Sequence, residues 1–569
     1  MLLFTRLYTC TLLAILASTA LAGIQSPNAR GNSARANAVK SLFASSYADY
    51  KRYCFGHDQL NPLTKTCADP LGGWGATIVD VQSTAKIMGL NDIYNECVAQ
   101  SLRVDYTKTS QDQISIFETT IRHVGGLLSS YELGGKTNQK LVDQAVVVAD
   151  RLLHGWVGNN ALPYNGLRNW NTNPTPVTDQ GAIIAETGTL ILEFDRLSKY
   201  SNNATFRNFA AKAMRATINA SPLPFPGLNP QGIDPATNKP RGDYVTWGGG
   251  SDSYFEYLIK ASYLNGNPYS YMPAWVRAVN SSIAHLMTTA GGNTTRKDLL
   301  YLADYSASSG GLIPRSSHLE CFHGGNWMLG GKLLGNDDIF QYGLRLTDAC
   351  INTYTSSASG IGPESFVYAS QSGSTNGVKI RSPDFYRQHG FDYDSKYYVL
   401  RPEVLESVFY AYRLTGDKKW QDLAWAAFKN IRNHCKAPAA LAALSDVTQA
   451  TPPQIDDSES FLYAELLKYL YLIFADPSTI DLGEWVFNTE AHPFRLDRPG
   501  VTFPQLNPGS RLAKPGSPVS PTSSAKPSTA SATKSVPLPK FSSNPDAGKV
   551  VQGILKEVFG GVGQLLVQG

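Results

Sequence analysis

Six stretches of this 569-residue chain set carboxylates beside aromatic rings and arginines within otherwise apolar runs. They are FETTIR (117–122), GGGSDSYFEYLIK (248–260), GPESF (362–366), YYVLRPEVLESVFYAYR (397–413), SESFLYAELLKYLYLIF (458–474) and FNTEAHP (487–493). A charge in an apolar helical face is costly unless it is paired or hydrogen-bonded. Arg122 follows Glu118 by four positions, on the same helix face, and Arg401 precedes Glu403 by two. Read singly, each pair is equally well explained as an ion pair that braces the fold. Six such stretches in one helical region point instead to a shared cavity. Paired carboxyl groups suit sugar chemistry, one protonating the leaving oxygen while the other activates water.

The elements that must position these residues are helices. From about 35 to 497 one unit recurs loosely: an apolar helix, a short Gly/Asn/Asp turn, then an Ala-containing helix. YELGGKTNQKLVDQAVVVADRLL (131–153) and YRLTGDKKWQDLAWAAF (412–428) are examples. The turns lie roughly 45–80 residues apart, long for a simple solenoid repeat. About six hairpins could close into an all-α toroid of inner and outer helices, or stack as an open solenoid. The long polar loops at 155–180, 221–250 and 355–395 favour the closed form, with loops gathered around a site at one end. A ring of this kind makes 35–497 one domain.

Composition narrows the partners. Fifty Lys+Arg against 46 Asp+Glu leave a formal charge of +4, too little for a polybasic nucleic-acid surface. Hydrophobic residues at 42% support a large core, and aromatics at 11% suit flat sugar faces, though packed cores use the same rings. Residues 1–22 read as a cleavable secretory signal peptide ending at Ala22, the alternative being an uncleaved anchor. No later stretch is apolar enough to span a membrane. Sequons stand at Asn203, Asn219, Asn280 and Asn293. Six cysteines remain after Cys10, with no CxxC and no zinc pattern, so disulfides are favoured in an oxidising lumen. Residues 498–545 form a linker, Ser/Pro-rich from 508, and 546–569 a short amphipathic tail.

Several of these stretches, with WGATIVDVQSTAKIMGL (74–90), GTLILEFDRLS (188–198) and SHLECFHGG (317–325), together resemble glycoside hydrolase family 47, the class I α-1,2-mannosidases. The resemblance runs in order across about 35–497. It implies an (α/α)7 barrel and an inverting, calcium-dependent exo-α-1,2-mannosidase that trims high-mannose N-glycans as a monomer. In it Glu118 matches a general acid acting through a water and Glu403 the favoured base. Asp252 matches the third central carboxylate, sometimes given the acid role, and Glu364 a further acidic position. Thr489 matches the calcium ligand, through hydroxyl and carbonyl. Glu186, Glu465 and Glu490, with Glu118, match residues that orient waters or sugar. Phe461 matches the ring beneath the terminal mannose. Arg122, Arg401 and His318 match neighbours of the carboxylates, although a lone histidine equally suits a structural role.

The resemblance also implies a Cys321–Cys350 disulfide. Cys54 and Cys67 either form a second, local one or do not, and Cys97 and Cys435 are left as a pair or as buried thiols. Gly250, two residues before Asp252, replaces an Arg usual in the endoplasmic-reticulum subgroup. That resembles the Golgi-like and secreted fungal branches, and with the signal peptide it implies the secretory lumen or secretion. A glycan-binding quality-control factor with little hydrolysis is the competing reading, and a toroid without catalysis a third.

Overall fold

The computed structural model describes residues 23–501 and 503–506. The signal peptide, the tail and the linker beyond 506 lie outside the described residues. Six sequential hairpins match the expected pattern. In each, an inner helix turns sharply into an outer one: Ala76–Ile87 into Asn91–Ser101, the run 116–133 into Gln139–Leu152, and the run 184–201 into Thr205–Ile218. Asp252–Asn265 leads into Met272–His285, the run 319–334 into Asp337–Ser356, and Glu403–Thr415 into Lys418–His434. The seventh pair is not a hairpin. The first helix, Ser33–Cys54, packs against the last, the run 462–474. Periodicity along the sequence shows only neighbours, which is why it counts about six.

That pairing closes the ring, because the first inner helix packs on the last and each inner helix on the next. Thr84 on Ala76–Ile87 donates through Oγ1 to the Tyr463 carbonyl at 2.7 Å. The architecture is an (α/α)7 barrel, not an open solenoid. Outer helices keep an apolar stripe inward and charges outward, as in Gln139–Leu152, where Leu141, Val142, Ala145, Val148, Ala149 and Leu152 are buried. Inner helices are buried all round. Gly126 lets one of them close up: a Cβ there would stand 2.3 Å from Val79 Cγ1.

Connectivity puts the six short turns at one end of the barrel and the long loops at the other. Within those loops, short strands form where polar loop alone was expected. Ile114–Ser115, Ala182–Ile183 and Arg315–Ser317 each run directly, or after one residue, into an inner helix and fix its first turn. From the opposite end a β-hairpin, Trp485–Phe487 paired with Pro493–Arg495, enters the barrel. Its base is tied near helix C-termini, through Tyr263 OH to the Leu482 carbonyl and Ser129 Oγ to the Pro493 carbonyl. Its tip, 488–492, reaches the centre.

Disulfides join Cys321–Cys350 and Cys54–Cys67, which closes the pairing that the sequence left open. Cys97 and Cys435 are separate, buried thiols.

Candidate active site

The inner helices all begin at the loop-rich end, and most carry a carboxylate in the first turn, among them Glu118, Glu186, Asp252, Glu320 and Glu403. Helix N-termini favour negative charge, so this end of the barrel stabilises a ring of acids. Two inner helices also contain π-turns, Thr120–Val124 and Leu462–Leu466, which hold Arg122 and Glu465. A π-turn shifts the side-chain register by one residue and re-aims the rest of the helix.

Arg122 ties three elements together. Its Nε donates to Glu118 Oε2 at 2.9 Å, and its Nη1 donates to Ser460 Oγ at 3.2 Å and to Glu490 at the hairpin tip. Asp80 lies 3.6 Å from the same guanidinium. Burial opposes the charge on Arg122, but Glu490, Glu118 and Asp80 more than offset it. Two cations stand near Phe461, with Arg122 5.8 Å and Arg401 6.0 Å from its ring centre. Arg401 Nε donates to both oxygens of Glu364, at 2.9 and 2.7 Å.

Glu403 and Asp252 differ in their environments. His318 is buried, with Nδ1 2.7 Å from Glu403 Oε2 and Nε2 2.8 Å from Tyr354 OH. A carboxylate only accepts, so Nδ1 donates to it, and Nε2 shares a hydrogen bond with the tyrosine hydroxyl. Burial pushes the Glu403 carboxyl up, but the His318 bond and the Arg401 charge outweigh it and hold it below the usual range. Asp252 has no cation in contact. Burial raises it to about 7, helped by Glu256 and Glu403, against a backbone bond from Ser253 and the charge of Arg401. One acid is lowered below its ordinary range and the other raised to about 7. That is the division acid–base catalysis needs.

Deeper in, Glu465 and Glu490 are both pushed up, by burial first and then by neighbouring carboxylates. Glu186 accepts from Asn165 Nδ2 at 2.8 Å and is raised to about 7 by burial, with Glu118 adding. Thr489, at the hairpin tip, receives no hydrogen bond at its hydroxyl from the described residues, and its N–H donates to Tyr257 OH at 3.2 Å. Contacts and electrostatic coupling thus link Glu118, Arg122, Glu490, Glu186, Asp252, Glu403, His318, Arg401 and Glu364 around the loop-rich end.

The structure also adds further residues. Asp80 is sealed between Ser460, His492 and Arg122. Glu256 and Lys260 pair inside an inner helix, with Glu406 3.7 Å from the same ammonium. The four-residue spacing of Glu256 and Lys260 is a readable signal, whereas nothing local marks Asp80. Glu193 accepts from Tyr257 OH at 2.6 Å and Asn488 Nδ2 at 2.8 Å and so holds the hairpin tip.

The sequence pattern of glycosyl hydrolase family 47 matches residues 42–496. The mannosyl-oligosaccharide alpha-1,2-mannosidase 1B of Aspergillus oryzae is 39% identical over 490 residues, which cover 82% of this chain and 94% of the relative. The mannosyl-oligosaccharide alpha-1,2-mannosidase of Coccidioides posadasii is 38% identical over 485 residues, 81% of this chain and 91% of its own. Among solved structures, the alpha-1,2-mannosidase from Trichoderma reesei superposes with a TM-score of 0.78 at 36% identity, covering 82% of this chain and all of that one. Pattern, identity and superposition agree with the carboxylate-lined barrel: the chain belongs to glycosyl hydrolase family 47 and is a glycosidase.

Proposed function

We propose that this chain is an inverting exo-α-1,2-mannosidase that removes terminal α-1,2-linked mannose from high-mannose N-glycans. The observation that carries the reading is the split between Glu403, held ionised, and Asp252, raised to about 7, at one mouth. The names and identities of the fungal relatives support the linkage. They give no support to the alternative of a quality-control factor with little hydrolysis.

In this reading Glu403 takes a proton from the attacking water, and His318 and Arg401 keep it anionic and aimed. Asp252 supplies the proton to the leaving oxygen. Glu118, tied to Arg122, orders water between the acids. Phe461 lies under the terminal ring, with Arg122 and Arg401 near its ring. Gly250 has φ +86°, and a Cβ there would come within 2.5 Å of Gln231 Nε2. The left-handed backbone and the Gln231 amide together exclude a side chain at this position.

The resemblance implies calcium, and the donor set fits it. Among the described residues no three His, Cys, Asp or Glu side chains converge as direct ligands. Thr489, whose hydroxyl has no hydrogen bond from the described residues, adjoins Glu490, and Glu490 and Glu465 are both raised by burial and by neighbouring carboxylates whose mutual repulsion a cation would relieve. An all-oxygen, water-completed shell suits a hard ion. Thr489 would hold it through hydroxyl and carbonyl, with Glu465 and Glu490 orienting its waters. Bound there, the ion supplies a grip on adjacent ring hydroxyls that favours a flattened sugar. No helix among the described residues is long and apolar enough to cross a membrane. With two disulfides and the N-terminal signal sequence, we place the protein in the secretory lumen or outside the cell, glycosylated at its exposed sequons and working as a monomer.

Incubating the purified chain with a high-mannose glycan, with and without a calcium chelator, tests this. Free mannose is expected with calcium and not after chelation. No release with calcium present would sink the reading.

A further inference from the structure

Glu459 has no part in the chemistry above, yet its surroundings are built. It is half-buried and lies two residues before Phe461. Its Oε2 accepts from Gln59 Nε2 at 2.8 Å, a bond between residues 400 apart in sequence. Its Oε1 accepts no hydrogen bond from the described residues and is not sealed from solvent. Burial and Asp457 push its carboxyl up to about 7 against the charges of Arg122 and Arg401, with Glu118 adding, so it stands within electrostatic reach of the same residues.

Gln59 is held firmly. Asp58 beside it is fully buried and accepts the backbone N–H groups of Leu71, Gly73, Gly75 and Ala76, at 2.8, 2.8, 2.9 and 3.0 Å. The strand Gln59–Asn61 pairs with Thr66–Ala68, and the Cys54–Cys67 disulfide closes this hairpin onto the first helix. Leu63 N and Thr64 Oγ1 donate to Asp456, at 2.7 and 2.6 Å. The hairpin is thus fastened to the segment 456–459 at two points. An amide on one oxygen of a carboxylate fixes its plane and leaves the other oxygen aimed and free, a geometry suited to receive a sugar hydroxyl.

We propose that Glu459 binds the sugar beyond the terminal mannose and that Gln59 is its positioning residue, which makes the disulfide-closed N-terminal hairpin a wall of the second sugar site. The proposal rests on the mannosidase reading. Its test uses the full chain with calcium, and three readouts: hydrolysis of an α-1,2-mannobioside, calorimetric binding of its sulfur-linked analogue, and binding of the monosaccharide mimic 1-deoxymannojirimycin. Glu459→Gln should raise KM and weaken the disaccharide analogue about tenfold, with kcat and monosaccharide binding within about twofold. Gln59→Ala should show a smaller loss of the same kind, and the double variant no more than Glu459→Gln alone. Glu459→Asp, which keeps the charge but withdraws it, serves should the amide variant fail to fold. Unchanged KM, or equal weakening of both ligands, would overturn the proposal. A wild-type chain that cleaves nothing and binds neither ligand would instead overturn the reading beneath it.

Discussion

At the scale of single residues, the account turns on two acids with opposite protonation. Glu403 is lowered and must be ionised to act as base, so activity falls as pH drops through its pKa, below the ordinary carboxyl range. Asp252 is raised to about 7 and must be protonated to act as acid, so activity falls as pH rises through about 7. The kcat/KM profile should be a bell with its upper limb near 7, and Asp252→Asn should abolish that limb along with most activity. The same shift carries a stability consequence. A folded-state pKa raised above the unfolded value of 3.8 means that the protonated form favours folding, and this contribution is lost as pH rises through about 7. Asp252→Asn should therefore melt about 2 °C higher than wild type at pH 8, with little difference at pH 4. Equal melting shifts at both pH values would show that the carboxyl is not strained by burial.

At the scale of elements, the hairpin tip and the two π-turns decide where side chains point. Thr489→Ala removes one oxygen donor and leaves the Glu193, Tyr257 and Asn488 contacts of the tip intact. Calcium affinity measured by calorimetry should fall at least about tenfold, with the fold unchanged by circular dichroism. Undiminished affinity would move the metal elsewhere. This is also the scale at which the sequence stops being readable. The Glu118/Arg122 spacing is visible because it stays within one helix. The link from Arg122 to Glu490 is not, since it spans 368 positions and depends on a π-turn that periodicity cannot show. The FNTEAHP stretch reads as an acidic loop, and only the β-hairpin that carries it into the barrel gives it a place. Likewise His318 reads as either a neighbour of the carboxylates or a structural residue, and the structure gives it two bonds, one of them to Glu403.

At the scale of the whole molecule, the ring depends on its ends meeting. The helical repeat and the polar loops are legible from 35 to 497, but closure is a contact between the first and last helices and has no local signature. Arg413 shows how firmly that seam is built: it is buried near the N-terminal segment, with Nε donating to Gln25 Oε1 at 2.7 Å and Nη1 to the Leu472 carbonyl at 3.2 Å. A chain beginning at 55 would expose the apolar face of the last inner helix and lose the Cys54–Cys67 bridge. It should aggregate on expression, and a soluble, cooperatively melting product would refute the closed-ring account. The near-neutral charge of the molecule conceals the acidic basin, which is local and screened by its own arginines.

The most direct test of the central claim is proton NMR of the first sugar released from an α-1,2-mannobioside by the purified, calcium-loaded chain. The account predicts β-mannose, appearing before mutarotation and absent with Glu403→Gln. Initial release of α-mannose, or none at all, would contradict it.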